Sequence, residues 1–356
     1  MIDRPEILAW LRETDPGRLS RLYRRADAVR QKHVGDAVHL RGLVEVSNHC
    51  VRGCAYCGIS TENRGLVRYR MTKEEVLSSA QLAQRLGYGT LVLQAGEDYG
   101  LTRDWVTGLV REVKETTLLA VTLSLGERPD GDLAAWREAG ADRYLLRFET
   151  SDPALFAAIH PGLGGRPSDR LAILGRLSAL GYEVGSGVLV GLPGQTYESL
   201  ATDLLVFREL DLDMIGVGPF IPHPQTPLGR GLFPMAPDGE QVPADEETTT
   251  KVVALARLLR PDANIPATTA LATLNSFGRE RGLLRGANVV VPNLTPPAYR
   301  KLYEIYPGKA CVSETAEECG SCLPNRIAMI GRVPAHGPGG RVREARPVPA
   351  AVLATY

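Results

Sequence analysis

Residues 43–60 read LVEVSNHCVRGCAYCGIS. The first five residues form a short apolar, β-branched run, which is typical of a strand that is buried on both faces. Three of the chain's six cysteines, Cys50, Cys54 and Cys57, follow within the next ten residues. This order predicts a dense group of sulfur ligands at the carboxyl end of a buried strand.

Similar apolar runs recur along the chain and alternate with stretches that carry apolar residues at helical spacing. The first intervening helix is predicted to begin after Thr72, where Glu75 completes a capping box, and to end at Gly87. Eight rounds over about 250 residues fit a complete (β/α)8 TIM barrel, and a doubly wound open sheet is the alternative. The predicted strands are residues 43–47, 90–94, 119–124, 143–148, 185–191, 214–218, 265–269 and 288–292.

Three regions are predicted from this pattern. Residues 1–40 form a helical extension, residues 41–305 form the α/β barrel, and residues 306–356 form a C-terminal segment with a second group of cysteines. From residue 332 the sequence is rich in Pro, Gly and Arg, which predicts a loose, solvated tail.

Composition limits the compartment and the partners. The chain has 356 residues, 44% of them apolar, and its 41 basic residues balance its 41 acidic ones. This neutrality gives no reason to expect nucleic acid or an anionic membrane as a partner. No apolar run approaches the length of a membrane span or of a signal core, so a cytoplasmic protein is expected. In that compartment clustered cysteines are metal ligands or redox groups more often than disulfides.

The ends of the predicted strands carry polar, Gly-rich or Pro-rich residues. A TIM barrel has its active site at the carboxyl ends of its strands, so these residues are expected to surround one site. Arg147 and Glu149 close the fourth strand in the sequence RFET. Charges at the end of an apolar strand are notable because unpaired buried charges are costly.

The first cysteine group has the spacing C-x3-C-x2-C. A tetrahedral zinc site needs a fourth ligand, and His49, the nearest candidate, adjoins Cys50 and is poorly placed to share a metal with it. A cubane iron–sulfur cluster held by three thiolates instead leaves one iron open to bind a reactant. The spacing therefore favours a cluster over zinc.

This spacing at the end of the first strand resembles the radical S-adenosylmethionine (SAM) superfamily. The resemblance implies that Cys50, Cys54 and Cys57 hold a [4Fe-4S] cluster that cleaves SAM reductively to methionine and a 5′-deoxyadenosyl radical. No catalytic side chain beyond the cluster and SAM is implied. The residues that match SAM-binding positions are Tyr56, Gly96, Glu97, Ser124, Arg147, Glu149 and Arg170.

One of these matches departs from the family pattern, and three have an alternative explanation. The stretch QAGED (94–98) resembles the family's GGE motif, with Ala95 in place of the first glycine. From the residues alone, Arg147, Glu149 and Arg170 fit a structural ion-pair network equally well.

The second cysteine group has the spacing C-x7-C-x2-C and consists of Cys311, Cys319 and Cys322. A second iron–sulfur cluster is expected from the close C-x2-C pair. Zinc, or reduced thiols without a metal, are the alternatives. Nothing in the sequence places this group at the mouth of the barrel, so it is expected to be dispensable for the core reaction.

Longer stretches are similar to the HydE family of [FeFe]-hydrogenase maturases, a biotin-synthase-like subgroup. This resemblance implies that the adenosyl radical attacks the cysteine sulfur of an Fe(CO)2(CN)(cysteine) complex. It also implies HydG-type and HydF-type maturases as partners and ferredoxin or flavodoxin as an electron donor. The chain has RFET where the family often has RHET. The matching stretches include VLQAGEDYG (92–100), AGADRYLLRFET (139–150), DMIGVGPFIPHPQTPL (213–228) and YRKLYEIYPGKAC (299–311).

Five further residues are expected to line the substrate cavity: Gln94, Thr268, Thr269, Tyr303 and Tyr306. Hydroxyl groups of the threonines could bind an anionic complex, although a Thr pair at a strand end is usually a cap. Two other functions stay open. One is a biotin-synthase-like or methylornithine-synthase-like enzyme with an organic substrate, and the other is an iron–sulfur scaffold that does not cleave SAM.

Overall fold

A computed structural model describes residues 2–341 of the chain. Within this range the strands are β1 (Ala37–Ser47), β2 (Thr90–Ala95), β3 (Ala120–Ser124), β4 (Arg143–Leu145), β5 (Glu183–Val190), β6 (Met214–Pro219), β7 (Val289–Val290) and β8 (Val333–Pro334). The helices are α1 (Arg4–Arg12), α2 (Pro16–Val34), α3 (Lys73–Arg85), α4 (Arg103–Thr116), α5 (Asp130–Glu138), α6 (Pro153–Ile159), α7 (Arg170–Ala179), α8 (Tyr197–Glu209), α9 (Glu246–Leu259), α10 (Thr269–Leu274), α11 (Gly278–Leu284), α12 (Pro297–Arg300) and α13 (Ala316–Met329).

Seven strands form one parallel sheet in the order β6-β5-β4-β3-β2-β1-β7. Every pairing is parallel, and helices connect the consecutive strands β2 to β6. Strand interiors are buried on both faces, as the continuous apolar runs predict. The sheet therefore forms a half-barrel of α/β type, with the carboxyl ends of neighbouring strands along one rim.

Residues 265–269, the seventh predicted strand, do not form a regular strand. Thr269 instead begins α10, and the preceding backbone pairs only through the isolated bridges Met214↔Asn264 and Pro266↔Val289. Pro266 has no N–H to extend a ladder, which explains why pairing stops after single bridges. The predicted strand 288–292 is confirmed as the short β7.

The capping signals in the sequence are confirmed where the chain enters its helices. Thr72 and Glu75 make both hydrogen bonds of a capping box at the start of α3, and Gly87 follows the helix with a φ of 75°. In the N-terminal region, α1 packs on α8, where Arg4 pairs with Glu198 at 2.8 Å. Every helix in residues 2–341 is too short or too polar to span a bilayer.

The C-terminal segment runs beneath the sheet, at the amino ends of the strands. β8 pairs with the start of β1, and the carbonyl oxygen of Pro338 accepts hydrogen bonds from Thr90 and Arg143 at 2.9 and 3.0 Å. The carbonyl oxygen of Gly339 accepts a further bond from Arg41 at 3.0 Å. The predicted loose tail is therefore wrong for residues 333–341, which satisfy buried donors of the barrel wall. Residues 342–356 of that tail lie outside the described residues.

Candidate active site

One cavity of about 390 Å³ opens among the carboxyl ends of the strands. The first cysteine group lines it, together with all the residues that the sequence predicts for SAM and for substrate. The structure thus brings together predicted residues from the ends of β1 to β4, from α7, from the start of α10 and from the segment after β7. The predicted residues on the cavity wall are Cys50, Cys54, Tyr56, Cys57, Gln94, Gly96, Glu97, Ser124, Arg147, Glu149, Arg170, Thr268, Thr269, Tyr303 and Tyr306.

The cysteine loop is held in place by backbone contacts on several sides. The N–H of Val51 donates to the carbonyl of Glu97 at 3.0 Å, and the N–H of Ala55 donates to the carbonyl of Ile159 at 2.8 Å. Arg68 closes the loop because its guanidinium donates to the carbonyls of Ile59 and Ser60, both at 2.7 Å. The loop is therefore fixed before any ligand binds.

Gly96 allows the end of β2 to approach this loop closely. A Cβ atom on Gly96 would lie 2.3 Å from the carbonyl oxygen of His49 and 2.8 Å from the Cβ of Cys50. Only glycine fits here without a shift of the backbone that carries the first cysteine. Gly96 thus sets the distance between the loop and the strand.

Cys54 is buried, and Cys50 and Cys57 are partly buried. Burial raises the pKa of Cys54 to about 12, and it also raises the pKa of Cys50 and of Cys57. Burial thus disfavours the thiolate form of each cysteine. The positive charge of a bound metal centre would offset this effect, since metals bind thiolates. Within residues 2–341, no three Cys, His, Asp or Glu side chains converge on a single metal position. A cluster that offers a different iron to each cysteine fits this arrangement better than one tetrahedral zinc ion.

A buried ion-pair network lies beside the cysteines. Arg52 donates to Glu97 and to Glu127, both at 2.8 Å, and Arg170 donates to Glu127 at 3.0 Å. Although burial alone would raise it, hydrogen bonds from His160 and Ser168 and the charges of Arg170 and Arg52 lower the pKa of Glu127 to about 2. Glu127 is therefore a carboxylate that gathers donors from three separate segments.

Glu97 is less free than the sequence suggests. Its carboxylate accepts from Arg52 at 2.8 Å and from Tyr99 at 3.1 Å, and its other oxygen accepts from the backbone N–H of Glu127 at 2.9 Å. Burial raises the pKa of Glu97 in spite of the ion pair with Arg52. Any ligand ammonium would share this carboxylate with Arg52.

The end of β4 turns two charged side chains into the cavity. The ladder stops after Leu145, and Glu149 takes a left-handed conformation with a φ of 63°. Arg147 and Glu149 form an ion pair at 3.1 Å, so the structural alternative is partly correct for them. The Nε of Arg147 is nevertheless buried and has no hydrogen-bond partner within residues 2–341. Such an orphaned donor in a cavity wall is typical of a ligand site.

The far part of the cavity carries further polar groups. The Oγ1 of Thr268 is buried and lacks a hydrogen-bond partner in the described part of the chain. Gln94 donates to the hydroxyl of Tyr303 at 3.3 Å. Lys309 forms a buried ion pair with Glu45 and lies 5.2 Å from the centre of the Tyr303 ring. Glu45 and Lys309 lie within the stretches 43–60 and 299–311, but no cysteine spacing or SAM-binding position marks either of them.

Two residues of the second cysteine group, Cys311 and Cys322, lie outside the cavity described above. Cys311 follows α12 with a φ of 62°, and its sulfur lies 3.4 Å from a guanidinium nitrogen of Arg279. Cys322 is exposed on α13. The Cys319 side chain lies outside the described residues.

The structure adds functional candidates that the sequence analysis missed. His160 lies between Cys54 and Glu127, with its Nδ1 3.0 Å from the Cys54 sulfur and its Nε2 2.9 Å from a Glu127 oxygen. Arg52 sits inside the cysteine loop, and Glu127 ends the stretch SLGE after β3, so their positions next to the predicted site are a signal in the sequence. No comparable signal marks His160.

Comparisons with known proteins agree with this geometry. The family model for the radical SAM superfamily matches residues 44–205. The chain is 48% identical over 329 residues to the [FeFe] hydrogenase maturase subunit HydE of Thermotoga maritima, covering 92% of this chain and 91% of that protein. It is 30% identical to a 3-methylornithine synthase of Methanosarcina acetivorans, over 89% and 86% of the two chains. The crystal structure of methylornithine synthase (PylB) matches with a TM-score of 0.79 and 26% identity, over 94% of this chain and 95% of that one.

Proposed function

The chain belongs to the radical SAM superfamily and, within it, to the HydE family, and from this we propose that it is a maturase of [FeFe] hydrogenase. It is an enzyme, and membership implies a [4Fe-4S] cluster and SAM. The observation that carries the proposal is that three thiols, one buried and two partly buried, line the same cavity as polar donors that lack a hydrogen-bond partner within residues 2–341.

We assign the cluster to Cys50, Cys54 and Cys57. When bound, the cluster would supply one electron for reductive cleavage of SAM to methionine and a 5′-deoxyadenosyl radical, and we propose the cysteine sulfur of an Fe(CO)2(CN)(cysteine) complex as the atom that this radical attacks. The chain's own residues bind and orient the reactants and exclude water from the cavity, which protects a radical. The residues proposed to contact SAM are Tyr56, Gly96, Glu97, Ser124, Arg147, Glu149 and Arg170.

The substrate is proposed to bind beyond SAM in the same cavity. An iron complex with cyanide and carboxylate groups is anionic and needs donors that are not already used. The orphaned Oγ1 of Thr268 supplies such a donor. It lies near Arg147, proposed above to contact SAM, because a Cβ on Gly218 would be about 4 Å from both side chains. Gln94, Thr269, Tyr303 and Tyr306 are proposed to complete the wall.

We also propose that the half-barrel closes into a complete eight-stranded barrel. Backbone hydrogen bonds support this, since the N–H of Ile215 donates to Asn264 at 3.0 Å and the N–H of Ala267 donates to Val289 at 2.9 Å. The segment 263–267 would then be the one missing strand between β6 and β7. Residues 1–40 would be a helical extension, residues 41–305 the barrel and residues 306–356 a C-terminal segment.

The second cysteine group is proposed to hold an auxiliary iron–sulfur cluster on Cys311, Cys319 and Cys322. We propose HydG-type and HydF-type maturases as partners, and ferredoxin or flavodoxin as the electron donor. The cytoplasm is the proposed compartment, because a cluster held by thiolates needs surroundings that keep thiols reduced.

An anaerobic maturation assay tests the proposed function. Reconstituted protein is mixed with apo-hydrogenase, the two other maturases, SAM and reductant, and hydrogen evolution is compared with and without this chain. We expect activity to require the chain and to be lost with Cys54→Ala, together with SAM cleavage. Cys322→Ala is the matched control, because this cysteine is exposed and outside the cavity, and it should retain SAM cleavage.

Two outcomes would point to another function. SAM cleavage without any effect on hydrogenase would favour an enzyme with an organic substrate, for which the similarity to 3-methylornithine synthase is the supporting observation. A chain that carries a cluster but leaves SAM intact would be an iron–sulfur scaffold, and the radical mechanism would be refuted.

A further inference from the structure

Cys54 differs from the other two cysteines of the loop in the groups that face its sulfur. Backbone N–H groups of Arg52 and Ile59 approach the sulfurs of Cys50 and Cys57, respectively. The Cys54 sulfur instead faces two side chains: it lies 3.0 Å from Nδ1 of His160, and the side chain of Tyr56 also hydrogen-bonds to it. One of the three cluster ligands therefore has a side-chain partner that can be changed without altering the loop backbone.

The chain fixes His160 against the cysteine loop through the backbone. His160 ends α6, and its N–H donates to the carbonyl of Phe156 at 2.8 Å. The carbonyl of Ile159, the residue before it, accepts from the N–H of Ala55, the residue after Cys54, at 2.8 Å. This hydrogen bond joins the residue after Cys54 to the residue before His160, and it therefore sets the distance from the ring to the sulfur.

The ring is also fixed from its other side. Its Nε2 lies 2.9 Å from Glu127, whose carboxylate is held in turn by Arg52 and Arg170. His160 is only 1% exposed, so water does not compete for either nitrogen. A ring held at both nitrogens keeps one orientation, as metal-site histidines do when a carboxylate holds the second nitrogen.

We propose that His160 is a positioning residue for the cluster: held by Glu127, it donates a hydrogen bond from Nδ1 to the sulfur of Cys54 and thereby raises the cluster's reduction potential. The proposal rests on the proposed function only in that Cys54 binds iron. A thiolate on iron and the Glu127 carboxylate both act only as acceptors, so the ring supplies the hydrogen of each contact, from Nδ1 to Cys54 and from Nε2 to Glu127. Hydrogen bonds to cluster sulfurs are among the features that set the potential, because they offset the negative charge added on reduction.

Two substitutions separate the two contacts of the ring. The amide of asparagine reaches the position of Nδ1, whereas the longer glutamine reaches the position of Nε2. His160→Asn can therefore donate to Cys54 but loses Glu127, and His160→Gln keeps Glu127 but loses Cys54. His160→Phe keeps the volume and loses both contacts.

The test measures the cluster's potential by electron paramagnetic resonance in anaerobic, iron-reconstituted full-length protein. We expect His160→Gln and His160→Phe to lower the ratio of reduced to oxidised cluster about tenfold at a fixed solution potential, which is a shift of about 59 mV for a one-electron couple. His160→Asn should stay close to the wild type. Potentials that are unchanged in all three variants, or that follow the Glu127 contact instead, would overturn the proposal.

A measurement on the unaltered chain covers the case in which a variant fails to take up iron. Wild-type protein labelled with ¹⁵N-histidine should show a hyperfine coupling between a histidine nitrogen and the reduced cluster. The same label in His160→Asn should lose that coupling. Its absence in the wild type would refute the role of His160, whereas failure of the wild type to take up a cluster at Cys50, Cys54 and Cys57 would refute the proposed function itself.

Discussion

Replacement of Gly96 by alanine should displace the cysteine loop. The new Cβ would lie 2.3 Å from the carbonyl oxygen of His49, and real Cβ contacts essentially never fall below 3.0 Å, so the backbone must move by at least 0.7 Å. Gly96 does not have a positive φ, so the effect is steric and not conformational. Overpacking of this kind costs about 1–3 kcal/mol of folding free energy. A shift approaching 1 Å at Cys50 should lower SAM cleavage about 100-fold.

Urea unfolding, iron content and the initial rate of SAM cleavage measure the three consequences. Gly65→Ala is the matched control, because a Cβ there meets nothing within 4 Å and the residue follows the same loop. We expect the control to behave as the wild type in all three measurements. Equal stability, iron content and cleavage rate for Gly96→Ala and Gly65→Ala would refute the reasoning.

Two further predictions concern buried polar groups. Burial raises the pKa of Asp203 to about 7, above its usual 3.8, so its protonated form stabilises the fold at low pH and this advantage is lost as pH rises through 7. Urea unfolding of wild type and Asp203→Asn from pH 4 to 8 should reveal a relative loss of wild-type stability of up to roughly 4 kcal/mol, and parallel pH profiles would contradict it. Thr268→Val should leave stability within about 0.5 kcal/mol, because the Thr268 hydroxyl has no hydrogen-bond partner in residues 2–341. It should raise the substrate concentration needed for half-maximal maturation about tenfold, and unchanged substrate dependence would exclude Thr268 from the substrate site.

The parts of the fold that the sequence predicts are those with local signals. Seven of the eight predicted strands coincide with strands of the sheet, because an apolar β-branched run and its flanking turns lie within a few residues of each other. The exception, 265–269, has apolar residues but also Pro266, and its pairing depends on distant partners on β6 and β7. β8 was not predicted because Val333 and Pro334 acquire their partner only through the position of β1.

The same distinction applies to the site. The spacing of Cys50, Cys54 and Cys57 predicts the cluster ligands, and the polar strand ends predict the cavity. Both signals are patterns that lie within one segment of the sequence. His160 is 106 residues from Cys54 in the chain and 33 from Glu127, so only the folded structure brings them together. Spacing likewise could not indicate that Glu97 is already bonded to Arg52.

The position of residues 333–341 beneath the sheet has a consequence for synthesis. β1 leaves the ribosome long before its partner β8 and before the carbonyl groups that bind Arg41, Thr90 and Arg143, since Arg41 precedes Gly339 by 298 residues. The nascent chain must therefore hold these donors without their final acceptors until residue 339 has been made. A stop codon placed before residue 333 would remove β8 and leave these three buried donors without their acceptors, even though every cysteine had been made.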